Sequence, residues 1–112
     1  MKSKLAGILL MILILFSLTA QACIGNPQAH IDKGDAYAEQ QQWDKAITEY
    51  SAAIESQPEN AVAYYKRGLV YKIQAKPDLA IADFTSAIEL APEMAEAYNE
   101  RAILYEIGRA HV

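Results

Sequence analysis

The sequence predicts an all-α fold, a solenoid of antiparallel helix pairs with two full repeats and the first helix of a third, preceded by a signal peptide. Three observations carry this. The body of the chain is self-similar at an offset of 34 residues. Within each copy, apolar and small residues recur at helical spacing. Prolines stand where that spacing is interrupted.

The apolar fraction of 53% mixes two populations. Lys2 and Lys4 open the chain, and Leu5 to Leu18 (LAGILLMILILFSL) is then almost wholly apolar. A basic head, a short greasy run and a small-x-small exit at Ala20-Gln21-Ala22 form a secretory signal peptide over residues 1–22. The run is short for a bilayer span, which takes about 20 residues, and an uncleaved N-terminal anchor is the structural alternative. The exit supports two readings. As an A-x-A site it releases a soluble protein beginning at Cys23. The stretch Leu-Thr-Ala-Gln-Ala-Cys also resembles a bacterial lipobox, in which the cysteine is acylated and becomes the first residue of a lipoprotein. Leu is usual where Ala20 stands, so the match is imperfect. Cys23 is the only cysteine, which rules out an internal disulfide, and an unpaired thiol after an export signal has a purpose if it carries lipid. Two or more acyl chains would hold the protein firmly on a membrane. Residues 23–27 then read as a tether, with Gly25 and Pro27 discouraging helix.

Once Lys2 and Lys4 are assigned to the leader, the body holds eight basic and fourteen acidic residues, a net of about −6. Nucleic-acid binding requires a basic stripe, and none is present.

Beyond the tether the 34-residue offset places Gly34 on Gly68, Tyr37 on Tyr71, Ala46 on Ala80, Ile47 on Ile81, Tyr50 on Phe84, Ala53 on Ala87, Ile54 on Ile88 and Pro58 on Pro92. A third copy starts at Ala95, with Tyr98 on Tyr64, Arg101 on Arg67, Tyr105 on Tyr71 and Ala102 in place of glycine. The copies occupy residues 28–60, 61–94 and 95–105. Small residues fall where helices must approach: Gly34 and Gly68 on the first helix, Ala46, Ala53, Ala80 and Ala87 on the second. Glycine inside a helix costs about 0.5–1 kcal/mol against alanine, so its use there implies close packing. Pro58 and Pro92 stop their helices. Pro77 suits a first turn, and Asp44 and Asp78 favour the positive end of the helix dipole there. Helices are expected at about 28–41, 44–56, 61–74, 77–90 and 95–105.

WDKAITEYSAAIESQPEN and PDLAIADFTSAIELAPEM resemble the second helix and following turn of a tetratricopeptide repeat (TPR), and AYYKRGLVY and AYNERAILY resemble its first helix. The resemblance covers nearly all of residues 27–105 in one register. It implies a protein-binding scaffold, and the lipobox adds that of a bacterial envelope lipoprotein. In that family the first helix of each repeat supplies the partner-binding side chains, on the face away from the second helix. By register these are Gln28, Ile31, Asp35 and Ala38, then Val62, Tyr65, Leu69 and Lys72, then Glu96, Asn99 and Ile103. An apolar centre of Ile31, Tyr65, Leu69 and Ile103 rimmed by Asp35, Lys72 and Asn99 suits an amphipathic or extended peptide. The alternative for each is packing within the array. The basic, Asn-rich clamp some members use for a C-terminal carboxylate is not reproduced.

No nucleophile elbow, phosphate loop or metal-ligand spacing is present, so neither catalysis nor a cofactor is expected. Partners are other proteins or peptides and, through Cys23, a membrane. His30 reads as a surface or packing residue and Trp43 as a packing residue. The third copy lacks a second helix to cover it, while such arrays usually need three or more units and a polar cap. The chain as it stands is therefore expected to be marginally stable and to associate through that helix. Residues 106–112 are expected to be non-native: Ile107 to Val112 resembles a translated sequencing adapter, ATC GGA AGA GCA CAC GTC with TGA next. On that reading the natural protein continues; the alternative is a genuine short C-terminus that lost its cap.

Overall fold

A computed structural model describes residues 25–110. Cys23 and the apolar leader lie outside the described residues, as do His111 and Val112. The described part is five helices: α1 (Pro27–Glu39), α2 (Trp43–Ser56), α3 (Ala61–Ile73), α4 (Pro77–Leu90) and α5 (Ala95–Ala110). The helices pack in chain order, α1 on α2, α2 on α3, α3 on α4 and α4 on α5. No strand occurs among the described residues.

The 34-residue period extends to features that set the helix ends. Asn26 and Asn60, one repeat apart, cap α1 and α3, their side-chain oxygens accepting from the N–H groups of Gln28 at 3.0 Å and Ala63 at 3.1 Å. The expected ends at residues 41 and 74 fall instead at Glu39 and Ile73. The reason is a left-handed residue just beyond each helix, Gln41 with φ 60° and Ala75 with φ 57°. There the N–H of Gln42 returns to Tyr37 C=O at 2.9 Å and that of Gln41 to Ala38 C=O at 3.0 Å, and Lys76 and Ala75 do the same to Tyr71 and Lys72. This six-to-one and five-to-two pattern closes a helix and reverses the chain. Helix α5 runs on to Ala110, past the expected residue 105, because no proline or left-handed turn interrupts it and Arg109 meets the negative end of its dipole.

The core follows the register. Ile31, Ala46, Tyr50, Ala53, Ala63 and Val70 form one buried cluster shared by α1, α2 and α3. Ala80, Phe84 and Leu104 form its counterpart between α4 and α5, and Ala87, Ile88 and Ala97 complete the far end. The two glycines are close-approach points: a Cβ on Gly34 would strike the Tyr50 ring, and one on Gly68 would lie 2.8 Å from Phe84 Cε1.

Polar side chains join the repeats on their buried flank. Arg67 on α3 donates from Nη1 to Ser51 on α2 at 3.0 Å, and Arg101 on α5 donates from Nη1 to Thr85 on α4 at 3.2 Å. Arg67 and Arg101 are one period apart, as are Ser51 and Thr85, so this is a repeated clasp between successive copies. Arg67 also reaches forward within its own copy, donating from Nε and Nη2 to Asp83 at 2.8 and 2.9 Å. That carboxylate holds the guanidinium pKa above its ordinary value, against the opposing effect of burial.

Candidate functional site

Helices α1 and α3 run side by side over α2, which leaves a groove between them. Its cleft, about 360 Å³, is lined by Asp35, Ala38 and Glu39 of α1, Trp43 and Tyr50 of α2, and Lys66, Leu69, Val70 and Ile73 of α3. A second cleft of about 400 Å³, lined by Lys72, Ala75, Pro77, Leu104 and Ile107, sits one repeat further on. The correspondence is residue by residue: Ala38 with Lys72, Trp43 with Pro77, Val70 with Leu104 and Ile73 with Ile107. The groove is thus built twice by the same register, once between α1 and α3 and once between α3 and α5.

Ion pairs cross the groove at both steps. Lys66 Nζ lies 2.9 Å from both carboxylate oxygens of Asp35, and Lys72 pairs with Glu100. Lys66 and Glu100 are equivalent by register but opposite in sign, and each meets an opposite charge on the preceding first helix. Both pairs are half-buried, which limits their worth to about 1 kcal/mol or less each. Their larger effect is to neutralise those four charges, leaving Glu39 and Glu96 as exposed carboxylates on this face.

Asp35 also accepts a 2.6 Å hydrogen bond from Tyr50 Oη. Burial first, then the hydrogen bond and negative charge of Asp35, raise the Tyr50 pKa well above its ordinary 10.0. The folded state therefore keeps this proton where the unfolded chain releases it. Its contribution is complete below pH 10.0 and is lost as pH rises above that value. Urea midpoints should fall steeply above about pH 10 in the wild type and less steeply in Tyr50→Phe, which has no phenolic proton to lose. Tyr65 is raised in the same direction, by burial and then by Glu100 and Glu96, with Lys72 opposing.

The register-derived residues are distributed unevenly. Asp35, Ala38 and Leu69 line the first cleft and Lys72 the second. Tyr65 is half-buried against Phe84, with ring centroids 5.9 Å apart. Asn99 and Ile103 are exposed on α5, outside either cleft. Ile31 corrects the expectation of an apolar groove centre: it is 2% exposed and belongs to the core with Ala63 and Val70, so it offers a partner no surface. Val62 is 44% exposed, and Gln28 is engaged locally with Asp32.

Sequence reasoning missed Lys66, Glu39, Ile73, Glu100 and the Trp43 wall. The signal was available for Lys66: it lies one helical turn short of a full period from Asp35, where a neighbouring first helix brings its side chain alongside. His30, read as a surface or packing residue, bonds Glu49 on α2 at 2.7 Å. Among the described residues no group of three His, Cys, Asp or Glu side chains is placed to hold a metal ion, and no helix is long and apolar enough to cross a membrane.

Comparison with known proteins agrees with this geometry. Two family models match, one described as TPR repeat over residues 34–74 and one as tetratricopeptide repeat over residues 61–94, together more than half of the chain. Among solved structures, the chain is similar to the first TPR domain of Spaghetti (RPAP3) bound to the HSP90 peptide SRMEEVD, with 27% identity and a TM-score of 0.68 over 70% of this chain and 62% of that one. It is similar to the Arabidopsis OM64 TPR domain, with 27% identity and a TM-score of 0.70 over 74% and 69%. It is likewise similar to the TPR2B domain of yeast Sti1 in its pHsp70 complex, with 26% identity and a TM-score of 0.71 over 75% and 67%. No curated protein matches the sequence. The repeat register, the five stacked helices and the family models agree: this chain belongs to the tetratricopeptide-repeat family.

Proposed function

We propose that this chain is a protein-interaction scaffold of the bacterial cell envelope. It holds a peptide segment of a partner in the groove of α1, α3 and α5 and is tethered to a membrane by lipid on Cys23. The observation that carries the groove reading is the pair of repeat-related clefts, which suit two apolar side chains of one segment. The Spaghetti and Sti1 domains, at 27% and 26% identity, are seen with chaperone-derived ligands, which supports peptide binding as the mode.

The ligand chemistry differs. The HSP90 peptide SRMEEVD carries three acidic residues and one basic. In this chain the two groove lysines are already paired, and the carboxylates left over are Glu39 and Glu96. A basic, apolar segment fits this face and an acidic tail does not.

Trp43 is the only tryptophan and walls the first cleft, so its emission reports binding. A peptide of leucine and lysine should shift that emission saturably. Its leucine–glutamate counterpart should not, and Leu69→Asp should weaken the lysine peptide about tenfold or more. Equal binding of both peptides would end the charge argument, and binding unaffected by Leu69→Asp would end the groove argument. The membrane half rests on Cys23 following the apolar leader. In a bacterial host, radiolabelled palmitate should enter the wild type and not Cys23→Ala. A wild type that takes no label would leave a soluble exported adaptor, or a docking arm of a larger protein, in place of the lipoprotein.

A further inference from the structure

We infer that the two clefts of the groove read different side chains, and that the first takes a basic one, with its methylene stem along Trp43 and its charged head at Glu39. This rests on the groove reading above and adds what the partner segment must carry at each step. The first cleft is interior to the array, since α1, α2 and α3 supply its whole lining. Ala38, Trp43, Leu69, Val70 and Ile73 make that lining apolar, and Asp35, Lys66 and Glu39 are its charged members. Lys66 bonds both oxygens of Asp35, so those two charges cancel. Glu39 is exposed and has no ion-pair partner among the described residues. A single open carboxylate on an apolar cleft walled by an indole fits a lysine or arginine. Such a side chain buries its stem and keeps its head in water, and both the carboxylate and the indole face attract the charge.

The position of Glu39 is a second, independent sign. It is the last residue of α1, where the negative end of the helix dipole favours a cation, and the last turn of α1 holds no basic residue. Helix α3 closes with the same left-handed turn and follows the usual preference, with Lys72 in its last turn. The end of α1 therefore combines an acidic side chain with the negative pole of its own helix. Both draw the same charge, and a basic side chain from a partner relieves both.

The second cleft, built by the same register, lacks each of these features. Ile73 stands at the position of Glu39, Pro77 at that of Trp43, and Lys72 at that of Ala38. Lys72 lines this cleft and takes up Glu100, so an incoming cation would meet a fixed positive charge and no open acid. An aliphatic side chain fits there, against Pro77 and Leu104. The segment thus carries a basic residue at one step and an aliphatic one at the next, and the difference between the clefts gives the groove a direction.

The probes are the leucine–lysine peptide and the same peptide with every lysine acetylated, which keeps the stem and removes the charge. Each is titrated calorimetrically into the full chain. The wild type should prefer the charged peptide about fivefold or more, the combined worth of an exposed ion pair and a cation–indole contact. Glu39→Gln should reduce that preference to about twofold or less, with helix content by circular dichroism unchanged. Glu96→Gln removes an equal charge from the same face and should leave the preference as it is. A preference that survives Glu39→Gln, or that falls equally in Glu39→Gln and Glu96→Gln, would overturn the inference. So would a wild type that binds both peptides alike while Leu69→Asp still weakens both, a result that leaves the groove reading standing. Binding of neither peptide would remove the groove reading itself, and this inference with it.

Discussion

Replacing Arg67 by methionine is expected to be the most damaging single change on the buried flank, costing about 3–5 kcal/mol. Asp83 is the one buried charged residue among those described, at 5% exposure, and both of its oxygens are bonded by Arg67. Removing the guanidinium strands a carboxylate between α3 and α4, where water cannot replace the lost donors. Ser51 loses its partner at the same time, and the Tyr64 and Tyr71 rings lose the cation beside them. A domain of this size holds on the order of 0.05–0.15 kcal/mol of net stability per residue, so the loss is a large share of the whole. The double change Arg67→Met with Asp83→Leu removes both charges and should recover most of that loss, because an apolar pair of similar volume replaces the ion pair at little cost. Urea unfolding of both single variants and the double one gives the coupling directly. A double variant no more stable than Arg67→Met would mean that the desolvated charge is not what makes the single change costly.

Phe84→Ala should cost a comparable amount, about 3–5 kcal/mol. Phe84 is fully buried and fills the space that Gly68 leaves open. The pair makes a sharper prediction than either residue alone. In the wild type, Gly68→Ala puts a Cβ 2.8 Å from the ring edge, with Asp83 Cβ at 3.2 Å, so neither neighbour can yield freely. Overpacking of about 1–3 kcal/mol then outweighs the ~0.5–1 kcal/mol that alanine gains in helix preference. In the Phe84→Ala background the obstruction is gone, the same substitution fills part of the void, and its effect changes sign. Thermal unfolding of the four proteins tests this, and a Gly68→Ala change destabilising by the same amount in both backgrounds would contradict it.

The repeat made much of this fold legible before any coordinate. Gly34 on Gly68 and Tyr50 on Phe84 predicted a close helix approach, and that is where those side chains meet. The helix ends were off by one or two residues because Gln41 and Ala75 adopt a left-handed conformation that their residue types do not advertise. Site residues were less legible. Ile31, Tyr65 and Asn99 share one register position yet are buried, half-buried and exposed in turn. Register fixes the face of a helix on which a residue lies. Its exposure depends on side-chain size and on how far neighbouring helices cover that face, which the period does not encode. The groove ion pairs escaped notice for a related reason: Asp35–Lys66 and Lys72–Glu100 join residues 31 and 28 apart, neither of which is the period itself.

On the proposed function, partners are read by the groove of α1, α3 and α5 rather than by the outer surface of α2 and α4. Amide and indole chemical shifts of the labelled full chain, followed during titration with the leucine–lysine peptide, test it most directly. Perturbations concentrated at Ala38, Trp43, Leu69, Lys72 and Ile73, with Thr48, Glu55 and Leu90 unmoved, are the predicted result. Perturbations centred on Thr48, Glu55 and Leu90, with the Trp43 indole unchanged at saturation, would contradict it.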